Sequence, residues 1–191
     1  MLLDAKELAF VLKHINKKTL SDYKLESFLR ESNWIEKERT KTGRGRINPG
    51  DRKAIRYLND LNGKKLTLEN ILELHKIIGE YLNKDWVGKL RTMNVSVWNS
   101  SCPHYQEVPQ LMEDFIKVLP YLNSYWAHIV FEKIHPFRDL NGRTGRFIWL
   151  YKRDMYFSPD SFLQAYYYDS LWNLPLKKPK RLPSSLKKLI F

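Results

Sequence analysis

The residues of this chain best suited to chemistry lie in one unbroken stretch, His135-Pro136-Phe137-Arg138-Asp139-Leu140-Asn141-Gly142-Arg143-Thr144-Gly145-Arg146. It joins an imidazole, a carboxylate, turn-forming residues and the spaced guanidinium groups of Arg143 and Arg146. His135 has an unperturbed pKa near neutrality and can take a proton from an incoming hydroxyl. Asp139 offers the hard oxygen that Mg²⁺ takes when it also holds phosphate oxygens. Arg143 and Arg146, three apart on one helix face, are expected to act as bidentate phosphate donors. These residues point to nucleotide chemistry with His135 as base. The alternative is an ordinary surface loop: a helix-capping His135, a solvated Asp139, a turn at Asn141-Gly142 and two exposed arginines.

Such a stretch must be positioned by what flanks it. Residues 125–134 read as a mostly apolar helix, and Phe147 to Tyr151 belong to a second one rich in aromatics. Pro136 disfavours helical geometry at His135. Asn141-Gly142 can take positive φ, so the chain is expected to turn there and restart a helix near Gly142. Backbone N–H groups at that helix start, with the positive end of its dipole, form an anion site.

The stretch resembles the signature of Fic-domain proteins, H-x-F-x-[D/E]-G-N-G-R-x-x-R. It matches at His135, Phe137, Asp139, Asn141, Gly142, Arg143 and Arg146, and Leu140 stands where the family has glycine. The resemblance implies transfer of AMP from ATP to a Ser, Thr or Tyr hydroxyl of a target protein. His135 would be the catalytic base and Asp139 the Mg²⁺ ligand, while Leu140, Asn141, Gly142, Arg143 and Arg146 would bind the nucleotide. Ser32-Asn33-Trp34-Ile35-Glu36 is similar to the family's inhibitory segment, [S/T]-x-x-x-E-[G/N], with Lys37 in the final place. Ser32 and Glu36 are then the regulatory residues, Glu36 pairing with Arg146 and blocking the γ-phosphate. The reading from the residues alone is that Glu36 is a solvated helix residue. Val95, Ser96, Val97 and Trp98 alternate like a strand, Asn99-Ser100-Ser101 suggests a turn and His104-Tyr105-Gln106 a return strand. The resemblance makes this hairpin the flap that holds the target by strand addition; the plain reading is an edge hairpin. Leu140 supports a second outcome, a Fic scaffold that is altered or inactive: one using a different phosphate-linked donor, or a protein- or nucleic-acid-binding module.

Elsewhere the spacing predicts helices over residues 4–17, from Ser21 to Leu29, over residues 51–61 and from Thr67 through Leu82. Further helices are expected from Pro109 to Leu119 and from an Asp160 cap through Leu171. Residues 37–46, basic and with two glycines, read as a flexible linker. His75, among apolar neighbours, reads as a hydrogen-bonded packing histidine, and Cys102 as a loop thiol without an activating context.

The chain has 191 residues, 43% of them hydrophobic, enough for one domain with a real core. Its single cysteine excludes an intramolecular disulfide and a Cys-rich zinc site. No apolar run approaches the roughly 18 residues a transmembrane helix needs, and the acidic start is unlike a signal peptide, so a cytoplasmic protein is expected with no membrane partner. Of the net charge of +12, Lys177, Lys178, Lys180, Arg181, Lys187 and Lys188 supply six without an acid among them. That tail, interrupted by Pro179 and Pro183, is expected to be a mobile solvated end, and nucleic acid is not the expected partner. The fold class is therefore all-α, a Fic-like helical bundle with one small β-hairpin flap. Residues 1–31 form an N-terminal helical extension, 32–172 the Fic-like domain with the inhibitory segment at 32–37, and 173–191 the basic tail. Whether the chain forms a homo-oligomer is left open.

Overall fold

The computed structural model describes residues 17–37, 41, 45–61, 63–97, 100–153, 179 and 181–190. Among them the helices are α1 (Lys17–Ile35), α2 (Pro49–Asp60), α3 (Leu68–Gly79), α4 (Val108–Val118), α5 (Ser124–Ile134), α6 (Asn141–Tyr151) and α7 (Ser184–Ile190). Short 3₁₀ turns follow α3, precede α4 and follow it. Two strands, β1 (Ser96–Val97) and β2 (Ser100–Ser101), pair antiparallel with Ser96 opposite Ser101 and Val97 opposite Ser100. The fold is the expected all-α bundle with a single small hairpin among the described residues.

The bundle is built around α5 and α6. α6 is buried from Arg143 to Leu150 and touches α1, α2, α3 and α5. A helix covered on all sides is a central one, and it can carry charged side chains only if they are paired. Aromatic rings fill the space beside it: Phe28 meets Phe147 edge-on at 5.5 Å and stacks on Trp149 at 6.5 Å. The aromatic stripe of α6 is core.

Local signals set most helix starts. Thr67 caps α3 and receives the Asn70 N–H, while Asn70 Oδ1 accepts the Thr67 N–H at 3.0 Å, a reciprocal capping box. Asn123 Oδ1 accepts the Trp126 N–H at 2.9 Å at the start of α5. At α2, Asp51 accepts from the Asn48 N–H and from the Asn33 side chain, each at 2.7 Å, so the cap also ties α2 to α1.

Four expectations need correction. Ser21 lies inside α1, which is continuous to Ile35 and runs across the position 31/32 boundary. Its C-terminal half is held by tertiary contacts, Phe28 and Leu29 being buried. The far end of the expected linker is anchored rather than loose: Asn33 donates to the Arg46 carbonyl at 2.6 Å and Arg30 to that of Gly45 at 3.3 Å. His104-Tyr105-Gln106 is no strand, because Tyr105–Glu107 forms a 3₁₀ turn whose N–H at His104 is taken by Glu107 at 2.9 Å. Finally, the chain's end is not simply solvated. Leu182 and Leu186 are buried, α7 packs on α4 and α5, and Ser185 donates to Asp114 at 2.7 Å. The leucines four apart make an apolar stripe that the intervening lysines disguise. The helix expected over residues 4–17, except for Lys17, and the one expected from Asp160 lie outside the described residues.

Candidate active site

His135 ends α5 in the left-handed region, φ 50° and ψ 60°, its N–H still bonded to the Phe131 carbonyl at 2.9 Å. Pro136 forbids helical continuation, so the turn is dictated locally. What holds this strained residue is Arg91. Its Nε donates to the His135 carbonyl at 2.8 Å, and its backbone N–H to that of Pro136 at 2.9 Å. The other guanidinium nitrogens reach the carbonyls of Met93 at 3.0 Å and Pro103 at 2.6 Å, on either side of the hairpin. One nearly buried arginine thus joins the histidine turn to the base of the flap.

The His135 ring is mostly covered, and burial pulls its pKa down to about 4; Arg91 adds to that, while a hydrogen bond to the Glu132 carbonyl, Glu36 and Asp139 oppose it. It is therefore a neutral imidazole at pH 7. His75 is the packing histidine expected: it stacks on Phe137 at 3.7 Å. Its Nδ1 accepts the Gly88 N–H at 2.8 Å, so its Nε2 carries the hydrogen directed at the Asp139 carbonyl 3.1 Å away. Asn141 braces the loop, accepting the Phe137 N–H at 2.8 Å and donating to the Phe137 carbonyl at 2.9 Å.

Positive φ falls on Leu140, at φ 64° and ψ 11°, and not on Asn141-Gly142, which are already helical. A non-glycine residue there costs about 1 kcal/mol. Burial offsets it: Leu140 is only 3% exposed, and its Cδ1 comes so close to Gly79 that a Cβ there would stand 2.7 Å away. The Leu140 N–H is taken by Asp139 Oδ1 at 2.6 Å. Asp139 is otherwise exposed beside the start of α6, a single hard carboxylate of the kind Mg²⁺ uses with phosphate oxygens.

The two arginines of α6 diverge. Arg143 donates to the Tyr81 hydroxyl at 2.7 Å and lies 6.0 Å over that ring. Arg146 is fully buried. Its Nε donates to Ser32 Oγ at 2.9 Å, and one terminal nitrogen to the Ser32 carbonyl at 3.0 Å and to Glu36 Oε1 at 2.6 Å. The expectation of two arginines side by side as phosphate donors is thus not met in this conformation, since α1 fills the fork of one and Tyr81 engages the other. Glu36 also lies against the first turn of α6: a Cβ on Gly142 would stand 2.4 Å from its Oε1. Burial alone would raise the Glu36 pKa, but Arg146, then Arg143 and His135, hold the carboxyl below its ordinary range. A carboxylate sits where this helix start and guanidinium favour an anion.

In the hairpin, Ser96 is exposed, Val95 and Val97 are half-buried, and Trp98 lies outside the described residues. Cys102 just beyond β2 has its thiol pushed up by burial, in keeping with an inert cysteine. The sequence reading did not single out Tyr81, His128 or Glu132. Arg91 stands out there only as the end of Gly88-Lys89-Leu90-Arg91, which resembles a Fic-family segment leading into the flap, and not as a clamp on His135. The spacing His128, Glu132, His135, one face of one helix, was available.

A helix-turn-helix thus presents a histidine, a carboxylate and two arginines around a helix start whose dipole favours an anion. Residues 65–151, which include the stretch from His135 to Arg146, match the model of the Fic/DOC family. Solved structures agree in fold. A Fic family protein from Desulfovibrio desulfuricans G20 aligns with a TM-score of 0.57 at 21% identity, over 75% of this chain and 51% of that one. A Fic domain containing signaling protein from Bacteroides thetaiotaomicron VPI-5482 gives 0.58 at 20% identity, over 81% and 71%. Fic-1 (residues 134–508) from C. elegans gives 0.55 at 21% identity, over 83% and 58%. The chain therefore spans little more than half of two of these relatives. Among the described residues no helix is long and apolar enough to cross a membrane.

Proposed function

We propose that this protein is an adenylyltransferase that moves AMP from ATP to a Ser, Thr or Tyr hydroxyl of a target protein, and that Glu36 holds it in check. Catalysis of this kind needs positioning and charge neutralisation more than covalent participation. His135, neutral at pH 7, takes the proton of the target hydroxyl. The hydroxyl oxygen forms a bond to the α-phosphorus, the bond from that phosphorus to the bridging oxygen breaks, and pyrophosphate leaves. Arg146 and Arg143 bind the β- and γ-phosphates, and the backbone at Asn141-Gly142 cradles them. Asp139 would hold Mg²⁺, which neutralises phosphate charge when bound. The edge formed by Val95, Ser96 and Val97 docks the target segment by main-chain hydrogen bonds.

The observation that carries this reading is the Glu36 carboxylate 2.6 Å from Arg146 and against Gly142. A carboxylate and a phosphate oxygen compete for the same guanidinium. Incubation with α-labelled ATP, Mg²⁺ and a cell lysate tests it, comparing wild type with Glu36→Gly and His135→Ala. Label on protein that rises with Glu36→Gly and falls by at least about a hundredfold when His135→Ala is added supports transfer. No label in any form with His135 intact would overturn it.

A second reading rests on Leu140, whose N–H is engaged by Asp139. If that bond persists with nucleotide bound, one backbone donor is lost to the phosphates, and a different phosphate-linked donor or a purely binding role fits better. Label from γ-labelled rather than α-labelled ATP would favour it.

A further inference from the structure

Glu132 shares one face of α5 with His128 and His135. Its Oε2 lies 3.8 Å from His135 Nδ1, and its Oε1 4.0 Å from His128 Nδ1. The same Nδ1 of His135 is 3.3 Å from the Glu132 backbone carbonyl. It therefore faces two oxygens of one residue. That assigns the hydrogen to Nδ1 and leaves Nε2 as the basic nitrogen.

The seat for this carboxyl is built by Gly145. A Cβ there would stand 2.5 Å from Glu132 Oε1 and 2.7 Å from His128 Nδ1. Oε1 is buried without a hydrogen-bond partner. An unsatisfied buried carboxyl oxygen costs about 1–3 kcal/mol, which an apolar side chain of the same size would not. A purely packing role does not account for a glutamate here.

We propose that Glu132 is a positioning residue for His135: it fixes the imidazole with Nδ1 protonated and Nε2 free, and when ionised it balances the imidazolium formed during transfer. The hydroxyl proton goes to Nε2, the Nδ1 hydrogen stays in place facing Glu132, and no proton is lost from the pair. The second half of this rests on His135 being the base of the proposed reaction; the first half does not. The charged and titratable groups around Glu132 are His128 and His135 on its own helix, Arg146 on α6, Glu36 on α1 and Cys102 beside the hairpin. Burial raises its carboxyl to about 8, with Arg146 opposing and Glu36 adding. Glu132 thus ionises just above neutrality, and His135 should sense it.

Histidine-ring NMR of the full chain, titrated between about pH 5 and 9, reads this directly. The His135 signals are expected to show the Nδ1–H tautomer and a step with a midpoint near 8, and Glu132→Gln should remove the step. No step in wild type, or the same step in Glu132→Gln, would overturn the proposal, whether or not the protein transfers AMP. In the kinetic arm, made in the Glu36→Gly background, Glu132→Gln should lower kcat about tenfold with KM for ATP unchanged, the scale of losing a histidine's orienting partner. It should also flatten the pH profile near 8. An unchanged kcat and pH profile would refute the charge-balancing half, and an absence of transfer in every form with His135 would refute the proposed function instead.

Discussion

The two sides of the loop between α5 and α6 are held in opposite ways. On the His135 side the chain is locked from within the domain: Arg91 bonds to the histidine carbonyl and to both feet of the hairpin, and Glu132 backs the ring. On the Gly142 side the anion-binding helix start and Arg146 are covered by α1, a neighbour from 110 residues earlier in the chain, through Ser32 and Glu36. His135 is thus held by contacts from within the domain, while the start of α6 and Arg146 are covered by α1. Under the proposed function, Glu36 would act by competition for the phosphate site and not by distortion of His135.

The largest effect that would sharpen this contrast is on the α1 side. A charge-assisted hydrogen bond is worth about 1.5–3 kcal/mol, so Glu36→Gly should raise labelling roughly tenfold to a hundredfold. Equal labelling would remove Glu36 from the account. On the other side, Arg91→Ala should lower labelling at least about tenfold and reduce stability by about 2–4 kcal/mol in a urea titration, since several carbonyls lose a buried donor. Because the two sides act separately, the effects of Arg91→Ala and Glu36→Gly should multiply. A strong departure from that product would break the comparison.

Leu140→Gly should relieve about 1 kcal/mol of backbone strain but lose a buried leucine worth about 2–3 kcal/mol, for a net loss of about 1–2 kcal/mol in denaturant unfolding. A stabilised variant would show that the leucine is not holding the loop. The smallest effects appear with pH. His75 and His135 are depressed to about 4 and His128 to about 3, each from 6.5, with burial the leading cause. A depressed histidine means the unfolded chain takes up protons first, so stability is full above about pH 6.5 and drains as pH falls toward 4. Glu132 has the reverse sign: raised from 4.5 to about 8, it makes stability fall as pH rises through that window. With three histidines outweighing one glutamate below pH 6.5 and only Glu132 acting above it, thermal midpoints should peak near pH 6.5, and Glu132→Gln should remove the alkaline decline.

Much of the fold was legible because it follows local rules. The start of α3 at Thr67, its apolar period and the turn enforced by Pro136 depend on residues within a few positions of one another. The site was legible in part. The stretch from His135 to Arg146 showed its chemistry because all its groups lie in one segment, and Glu36 was visible as a candidate partner of Arg146. The clamp of Arg91 on His135 was not, since a contact made from 44 residues away leaves no local trace. The helix at the end of the chain was missed because its lysines outweigh a short leucine stripe.

The sequence by itself determined which chemical groups are present, that they stand at a helix-turn-helix, and that a proline ends the first helix. These follow from steric limits on φ and ψ and from hydrogen bonds between near neighbours. Only the tertiary structure decided that Leu140 takes the left-handed turn, that Arg143 and Arg146 part company, and that Glu132 keeps its proton near neutral pH. Those outcomes depend on burial and on charges brought together from distant parts of the chain, and a pattern of residues does not carry that information.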